Sequence, residues 1–270
     1  MTGVQTCALP ISAPSQPASR SGPVLVTGGA GFIGGHLVER LVAAGESVVV
    51  IDDLSTGSPG NLAALADNPR LQFIQAKVSE CQGLPALVAA ASRVFHLAAA
   101  VGVERVVQSP VRTIETNLRE TEVLFAAAAA AGTPVLFAST SEVYGRSPKS
   151  TFSENDDLVI GPPHVGRWSY ACSKLMDEFL ALAYHREKQV PVRIVRLFNI
   201  VGPRQSGQFG MVLPRFIQAA LRHEPLRIFG DGTQTRCFCH VADTVEAILR
   251  LCAAADAVGE VFNVGNDEPI

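Results

Sequence analysis

The sequence predicts an α/β fold in which a parallel, doubly wound sheet is followed by a smaller C-terminal lobe. Short apolar runs rich in β-branched residues alternate with longer amphipathic stretches from residue 24 to residue 198. That alternation is typical of parallel strands joined by right-handed helical crossovers. Four glycines between residues 28 and 34 also separate the first strand from the first helix. Together these features indicate a Rossmann-type arrangement.

The local patterns place the elements as follows. Strands are predicted at residues 24–27, 47–52, 71–76, 94–96, 134–139 and 192–198. Helices are predicted between them, up to about residue 44, from residue 61, and at 84–91, 110–131 and 169–186. After Asn199 the pattern loosens into glycine and proline loops with a helix at 212–222, a strand at 226–229 and a helix at 241–254. In such folds a lobe of this kind covers the carboxyl edge of the sheet, where ligands bind.

Three segments are expected along the 270 residues. Residues 1–22 are interpreted as a disordered leader, because residues 13–22 are polar and rich in Pro, Ser and Ala, and residues 1–12 resemble a cloning or assembly scar. Residues 23–198 form the predicted dinucleotide-binding domain. Residues 199–270 form a partial substrate lobe, since the last strand is followed by a turn and no packing element, as expected of a truncated chain.

Composition excludes several classes of protein. The net charge of −3 gives no basic footprint for a nucleic acid. The longest apolar run, Val123 to Ala131, has nine residues, whereas a membrane span needs about 20. The six cysteines are scattered, which favours a reducing cytoplasm over a disulfide framework. The group Cys237, Cys239 and His240 lacks a second ligand pair at zinc spacing, so no metal site is predicted.

The glycine-rich turn predicts a site for a dinucleotide. Gly28, Gly31 and Gly34 follow a strand and open a helix, where backbone N–H groups can bind a pyrophosphate. Asp52 ends the second strand, and its carboxylate would bind the adenosine ribose and repel a 2′-phosphate. Because no Lys or Arg occurs from Asp53 to Pro69, NAD is favoured over NADP. The alternative is that Asp52 is an ordinary surface acid at a strand end.

A second pattern predicts acid–base chemistry. Tyr170 and Lys174 are four residues apart, so they share one face of a helix. A neighbouring ammonium favours the phenolate of a tyrosine, which could then take a proton from a sugar hydroxyl. The alternative is a surface pair without function.

Seven stretches in order carry a resemblance to a known family: "TGGAGFIG" from Thr27, "DDLSTG" from Asp52, "HLAA" from His96, "STSEVYG" from Ser139, the Tyr170/Lys174 pair, "RLFNIVGPR" from Arg196 and "FGDGTQTRCF" from Phe229. The chain resembles the extended short-chain dehydrogenase/reductases, in particular the NAD-dependent nucleotide-sugar epimerases and dehydratases. The resemblance runs from Pro23 to Ile270.

The resemblance implies roles for individual residues. Thr140 would bind the reacting hydroxyl beside Tyr170, and Lys174 would also hold the nicotinamide ribose. The NAD-binding residues would be Gly28, Gly31, Phe32, Ile33, Gly34, Asp52, Val78, Ala98 and Lys174. The backbone amide of Val78 would contact adenine, because this chain has Lys77 where many relatives carry an aspartate. A nucleotide sugar, commonly a UDP-sugar, would be bound by Asn199, Arg204, Phe229 and Arg236, with Phe229 stacked on the base.

The resemblance also implies transient oxidation at C4 of the sugar, after which the 4-keto intermediate is epimerised, decarboxylated or dehydrated. Glu142 favours the last two fates, because simple epimerisation needs no second carboxylate. Ser141 stands where several dehydratases have an aspartic acid. Decarboxylation of UDP-glucuronate is therefore the preferred reading and 4-epimerisation the next.

Three other interpretations remain open. A GDP-mannose-type dehydratase would also tolerate Ser141, and an ordinary dehydrogenase would release its reduced cofactor. A NAD-sensing binding module would have lost Tyr, Lys or Thr from the catalytic set, and all three are present. Glu142 could also simply brace its loop. A homodimer is expected for the full-length form.

Overall fold

A seven-stranded parallel sheet is the centre of the fold. The structure is a computed structural model that describes residues 20–100, 109–209 and 211–270. The sheet has the order β3-β2-β1-β4-β5-β6-β9. Its strands are β1 (Val24–Thr27), β2 (Val48–Asp52), β3 (Leu71–Gln75), β4 (Arg93–His96), β5 (Val135–Thr140), β6 (Val192–Leu197) and β9 (Val261–Val264). Two further short strands, β7 (Ile200–Val201) and β8 (Cys239–His240), pair with each other.

Helices cover both faces of the sheet, as the alternating pattern predicts. They are α1 (Phe32–Ala43), α2 (Leu84–Ala90), α3 (Pro110–Ala131), α4 (Trp168–Lys188), α5 (Val212–Leu221) and α6 (Val241–Ala253). The helix expected from residue 61 is a 3₁₀ helix, Pro59–Leu65, whose first turn is capped by the Ser58 hydroxyl. All residues of β1 and β2 are buried, which explains their continuous apolar runs.

Two apolar cores lie on opposite faces of the sheet. Because side chains alternate along a strand, Val24 and Val26 point into one core while Leu25 points into the other. The first core receives side chains from α1 and α6, and the second from α2, α3 and α4. Because all the strands of this sheet pair in parallel, their carboxyl ends lie at the same edge.

Some of the residues after residue 198 belong to this sheet and its first core, and others lie outside them. β9 pairs in parallel with β6, and Val245 and Ile248 of α6 are buried in the first core. The sheet and its first core therefore include residues beyond the predicted boundary at residue 198. In contrast, α5 has no buried residues, and residues 226–229 form no strand, so that prediction was wrong. Residues 224–236 are exposed, which leaves a short apolar run there without a partner strand.

The predicted leader is only partly within the described residues. Residues 1–19, including the supposed scar, lie outside them. Arg20 is described, and its guanidinium donates to the carbonyl oxygens of Ala89, Ala91 and Ala131. These carbonyls lie at the C-terminal ends of α2 and α3, where a cation is favourable. The described chain is thus anchored three residues before the expected start at Pro23. Within the described ranges, the helices include none with the length and hydropathy to cross a membrane.

The packing of Phe125 generates a prediction about stability. Its ring lies 5.7 Å from that of Tyr184 and 6.3 Å from that of Phe137, and its side chain is fully buried. Phe125→Ala is expected to lower the free energy of unfolding by about 3 to 5 kcal/mol, because it leaves a cavity. Denaturant titration measures the change. Phe73→Ala, at a side chain that is 39% exposed, is the matched control and should cost much less; equal losses would contradict this packing.

Candidate active site

The glycine-rich turn joins β1 to α1 at the carboxyl edge of the sheet. Gly28 has a φ of +72°, and its N–H donates to Ile51 O at 2.9 Å. A Cβ on Gly28 would lie 2.7 Å from Ala98 N, and one on Gly34 would lie 2.1 Å from Gly28 O. Only glycine fits at these two positions, because both approaches are to backbone atoms. The turn therefore packs closely against the segment after β4, and the first turn of α1 packs closely against Gly28.

The N-terminus of α1 is arranged to receive an anion. Gly31 is its N-cap and supplies no side-chain hydrogen bond to the first turn. The first N–H groups of a helix have no intrahelical partner, so those of Phe32 and Ile33 are available to a ligand. This arrangement fits the pyrophosphate of a dinucleotide.

Asp52 ends β2 beside the same turn, as the sequence predicts. Its Oδ2 accepts from Ala30 N at 2.9 Å, and its Oδ1 accepts from Leu54 N at 2.8 Å. Burial raises the pKa of the Asp52 carboxyl, and these two backbone N–H groups oppose the change. Each carboxylate oxygen has a second lone pair, so a ribose diol can still be bound. The carboxylate fits the ribose of NAD and disfavours a phosphate on it.

Two more of the predicted NAD-binding residues, Val78 and Ala98, follow the strands β3 and β4. Val78 is buried after β3, while Lys77 forms a salt bridge with Glu80 at 2.5 Å. Glu120 of α3 accepts from both the N–H and the hydroxyl of Ser79, which fixes this loop. Ala98 follows β4 and donates its N–H to the Thr27 hydroxyl at 3.4 Å. The adenine contact of Val78 and the NAD-binding role of Ala98 remain predictions.

The predicted catalytic residues meet at the end of β5. Thr140 ends that strand, and its hydroxyl faces the phenol of Tyr170 on α4, where it lowers the pKa of that phenol. Ser141 and Glu142 begin the 3₁₀ helix that follows, and Glu142 N donates to Thr140 Oγ1 at 3.2 Å. The surrounding protein desolvates the Glu142 carboxyl and raises its pKa although the residue is still exposed, and Arg167 opposes this shift.

The electrostatics of Tyr170 differ from the expectation. Burial raises the pKa of its phenol well above the ordinary value, and the negative charges of Glu142 and Asp177 raise it further. The hydrogen bond from Thr140 lowers the pKa but does not offset these effects. The protein without ligands therefore holds Tyr170 as the neutral phenol at neutral pH, and not as the phenolate that an adjacent ammonium would favour.

Lys174 lies one helical turn after Tyr170 and is only 2% exposed. Its Nζ lies 3.9 Å from the centre of the Phe137 ring and 3.6 Å from Asp177 Oδ2. Burial lowers the pKa of the Lys174 amine, whereas the charges of Asp177 and Glu178 raise it. The charge of Lys174 is thus paired with Asp177, and the groups that shift the pKa of Tyr170 are Glu142, Asp177 and Thr140.

A buried ion pair supports this site, and sequence analysis missed it. Arg196 of β6 donates to both carboxylate oxygens of Glu178, at 3.0 Å from Nε and 2.8 Å from Nη2. Ser139 also donates to Glu178, and Arg196 donates to the Tyr144 hydroxyl at 2.9 Å. The signal was present as adjacent acids, Asp177 and Glu178, in a helix next to the catalytic pair. Such acids are usually solvent-exposed, and here they are buried.

Asn117 of α3 is a second residue that sequence analysis missed. Its Oδ1 accepts from Ala100 N at 2.7 Å, and its Nδ2 donates to Ser173 Oγ at 2.9 Å. The Ser173 hydroxyl in turn donates to Tyr170 O. Asn117 therefore links the end of β4 to the turn of α4 that carries Tyr170 and Lys174.

Arg204, predicted to bind substrate, contacts side chains of α1 and the backbone of Asn61. Its guanidinium donates to both carboxylate oxygens of Glu39 at 2.8 Å, to His36 Nδ1 at 2.7 Å and to Asn61 O at 2.9 Å. Glu39 and His36 belong to α1, so the side chain packs against the cofactor-binding helix. The prediction that Arg204 binds the sugar nucleotide stays a prediction, and the structure shows its contacts with the protein alone.

The other predicted substrate residues lie in exposed loops. Asn199 donates to Cys237 O at 3.1 Å, and Arg236 donates to Thr235 O at 2.7 Å. Phe229 is 63% exposed, with the Arg227 guanidinium 5.0 Å from the centre of its ring. No contact among the described residues joins Phe229 or Arg236 to Tyr170, and their substrate roles remain predictions.

The Cys237–His240 stretch has a structural part in the fold. Cys239 is buried with its Sγ 3.4 Å from Thr244 Oγ1, and the His240 side chain caps α6 by accepting from Ala242 N. The described residues include no group of three His, Cys, Asp or Glu side chains placed to hold a metal ion.

The chain is similar to proteins that are named as decarboxylases of UDP-linked uronic acids. The chain is 42% identical over 247 residues to UDP-N-acetyl-alpha-D-glucosaminuronate decarboxylase from Bacillus cytotoxicus, with 90% of this chain and 75% of that protein covered. It is 40% identical to UDP-glucuronic acid decarboxylase 4 from Arabidopsis thaliana, of which it spans about half, 53%.

A solved structure matches the fold. It is a mutant UDP-glucuronic acid 4-epimerase from Bacillus cereus with NAD and UDP-4-deoxy-4-fluoro-glucuronic acid. The TM-score is 0.84 at 32% identity, over 92% of this chain and 79% of that one.

The turn generates a prediction about cofactor binding. Gly34→Ala places a methyl group against Gly28 O, so α1 must shift, and the affinity for NAD is expected to fall at least about tenfold. Isothermal titration calorimetry measures the change. Gly60→Ala is the control, because its added Cβ meets only Ser58 Oγ at 3.4 Å. Unchanged NAD affinity in Gly34→Ala would show that the cofactor does not use this turn.

A family model confirms the resemblance seen in the sequence. It describes the NAD dependent epimerase/dehydratase family and matches residues 24–265. The match includes the glycine turn, Asp52 and the Tyr170/Lys174 helix, whose geometry is described above. The chain belongs to the NAD dependent epimerase/dehydratase family.

Proposed function

We propose that this protein decarboxylates a UDP-linked hexuronic acid through a 4-keto intermediate. The observation that carries the proposal is the placement of Glu142 beside Thr140 and Tyr170, with the pKa of its carboxyl raised. A carboxyl group that retains its proton closer to neutral pH can act as a proton donor. The relatives named as decarboxylases of UDP-uronates support the same reaction.

The residues of the chain would divide the work as follows. NAD, when bound, supplies the reversible oxidation of the sugar carbon. Gly28, Gly31 and Gly34 with the N-terminus of α1 would hold its pyrophosphate, and Asp52 would hold its adenosine ribose. Thr140 would orient the C4 hydroxyl. Tyr170, as the phenolate that a positive charge on bound NAD would favour, would take the proton from it as C4 becomes a ketone.

Decarboxylation follows from the position of the ketone. The carboxylate on C5 is β to the C4 carbonyl, so the C5–C6 bond can break with loss of CO₂. The electron pair moves into an enolate whose oxygen is on C4. Tyr170 would keep its proton and stabilise that oxygen by a hydrogen bond, while Glu142 would deliver a proton to C5, so that the C4 ketone forms again. The C4 ketone is then reduced, and Tyr170 returns its proton to the hydroxyl.

The second candidate reaction is 4-epimerisation of a UDP-sugar. The Bacillus cereus structure supports it, since that protein is named a UDP-glucuronic acid 4-epimerase and shares the fold at a TM-score of 0.84. Epimerisation uses Thr140 and Tyr170 in the same way and needs no proton at C5. The role of Glu142 therefore distinguishes the two reactions.

Substitution of Glu142 tests the proposal. Glu142→Gln is nearly isosteric, so NAD binding and the first oxidation should persist while formation of the decarboxylated UDP-pentose falls by about 10² to 10⁴-fold. Stopped-flow absorbance should show the reduced cofactor accumulating with UDP-glucuronate, and NMR should identify the product. Tyr170→Phe is the matched control, because it should abolish the absorbance change itself. A C4-inverted uronate formed at the wild-type rate by Glu142→Gln would assign the protein as an epimerase.

We also propose a homodimer that forms through α3 and α4. These adjacent helices carry exposed apolar side chains, with Val111 66%, Ile114 38%, Met176 53% and Phe179 59% exposed. Burying them against a second copy removes apolar area from water.

The free thiols of Cys81, Cys172, Cys237, Cys239 and Cys252 support a cytoplasmic location.

Sedimentation velocity tests the dimer. Phe179→Asp is expected to shift the protein to monomer at micromolar concentration, because a charge cannot be buried without a partner. Val159→Asp, at another exposed apolar position, is the control and should leave the dimer intact. A dimer of unchanged stability in Phe179→Asp would exclude this face.

A further inference from the structure

Asp177 is a buried acid that the proposed reaction does not use. It lies in α4, three residues after Lys174, and its side chain is fully buried. Its Oδ2 is 3.6 Å from Lys174 Nζ, and neither carboxylate oxygen has a partner at hydrogen-bond distance. Burial of a carboxylate that accepts no hydrogen bond is costly, so the position of Asp177 beside the lysine needs a physical explanation.

The neighbouring groups leave Lys174 as the partner of Asp177. Glu178, the next acid on α4, is already paired with Arg196 of β6 and accepts from Ser139 of β5. The charge of Glu178 is therefore balanced.

On the side of β4 and α3, the facing groups are neutral. His96 contacts Thr27 Oγ1 at 2.7 Å and Thr121 Oγ1 at 3.5 Å. Burial and the charge of Lys174 lower the pKa of His96 to about 3, so it carries no charge at neutral pH. Thr121 faces the Asp177 carboxylate and lowers its pKa.

On the remaining side, Lys174 is covered by the Phe137 ring of β5 and preceded by Tyr170 on its own helix. An aromatic face stabilises an ammonium but cannot balance its charge. Tyr170 is neutral. Asp177 is thus the counter-charge for the amine among the described residues around it.

We propose that Asp177 is a positioning residue for Lys174, which keeps the buried amine as an ammonium and fixes it one helical turn from Tyr170. The inference rests on the proposed function, in which Lys174 must be charged and in place when NAD and the sugar bind. Asp177 touches neither ligand in this assignment and acts only through Lys174. Asp177→Asn would leave the buried amine with only the charge of Glu178, which is already paired with Arg196.

The titration of Asp177 gives the proposal a pH signature. Burial raises the pKa of its carboxyl to about 6, against the opposing charge of Lys174. The pair is therefore charged at pH 7 and loses the negative charge as the pH falls through about 6. Protonation of Asp177 should change the surroundings of the Lys174 amine in the wild-type protein.

Side-chain NMR of ¹³Cε-labelled lysine tests this, with Lys174 assigned by the signal missing in Lys174→Arg. In the wild type, the Lys174 signal should shift with a midpoint near pH 6. In Asp177→Asn, the deprotonation midpoint of Lys174 should fall by about 1 to 3 pH units, since an opposite charge at this distance shifts a pKa by that amount. Asp67→Asn removes an exposed carboxylate and should leave both midpoints unchanged.

The pH dependence of turnover with UDP-glucuronate gives a second readout. If Lys174 must be an ammonium, activity falls as the pH rises through its pKa, so Asp177→Asn should move the alkaline limb down by about 1 to 3 units. Asp177→Glu keeps the charge and should restore the limb. A Lys174 signal that does not shift near pH 6 in the wild type overturns the proposal, and this measurement does not require Asp177→Asn to fold. If Asp177→Asn does fold, an unchanged deprotonation midpoint of Lys174 also overturns the proposal. The NMR readout needs no substrate, so a normal titration without decarboxylation would overturn the proposed function alone.

Discussion

The buried pair of Glu178 and Arg196 holds the catalytic helix to the sheet. Glu178 belongs to α4 and Arg196 to β6, and the guanidinium reaches both carboxylate oxygens. Ser139 of β5 donates to the same carboxylate. Removing one partner of such a pair leaves an uncompensated buried charge, at about 3 to 5 kcal/mol. The direction of α4, and with it the position of Tyr170 relative to Thr140, depends on this interaction.

The charges around Tyr170 make the site suited to a ligand that brings a positive charge. Glu142 and Asp177 raise the pKa of the phenol, and the charge of Lys174 is paired with Asp177. A positive charge delivered with a bound ligand would lower the pKa of Tyr170 and so produce the base where it is needed. In the proposed reaction, the phenolate would then form only in the complex with the ligand, which would couple proton transfer to ligand binding.

The parts of the structure that the sequence predicts are those with a local signal. The glycine turn, Asp52 and the Tyr170/Lys174 pair each follow from spacing within one β-α unit, and the structure places them together at the carboxyl edge. The addition of β9 to the main sheet and the contacts of Arg204 depend on residues far apart in the chain, which spacing cannot show. The burial of Asp177 was hidden for another reason, since an acid in a polar helical stretch looks solvent-exposed.

The contacts of Arg204 join the loop after β7 to α1 and, through Asn61, to the glycine turn. It follows β7, at the start of the segment predicted to bind substrate, and its guanidinium donates to Asn61 O and to Glu39 of α1. The Asn61 side chain donates to Ala30 O inside the glycine turn at 2.8 Å. A displacement of the loop after β7 would therefore act on α1 and on the turn that the dinucleotide uses. The contacts of Arg204 thus connect the loop after β7, through Asn61, to the glycine turn.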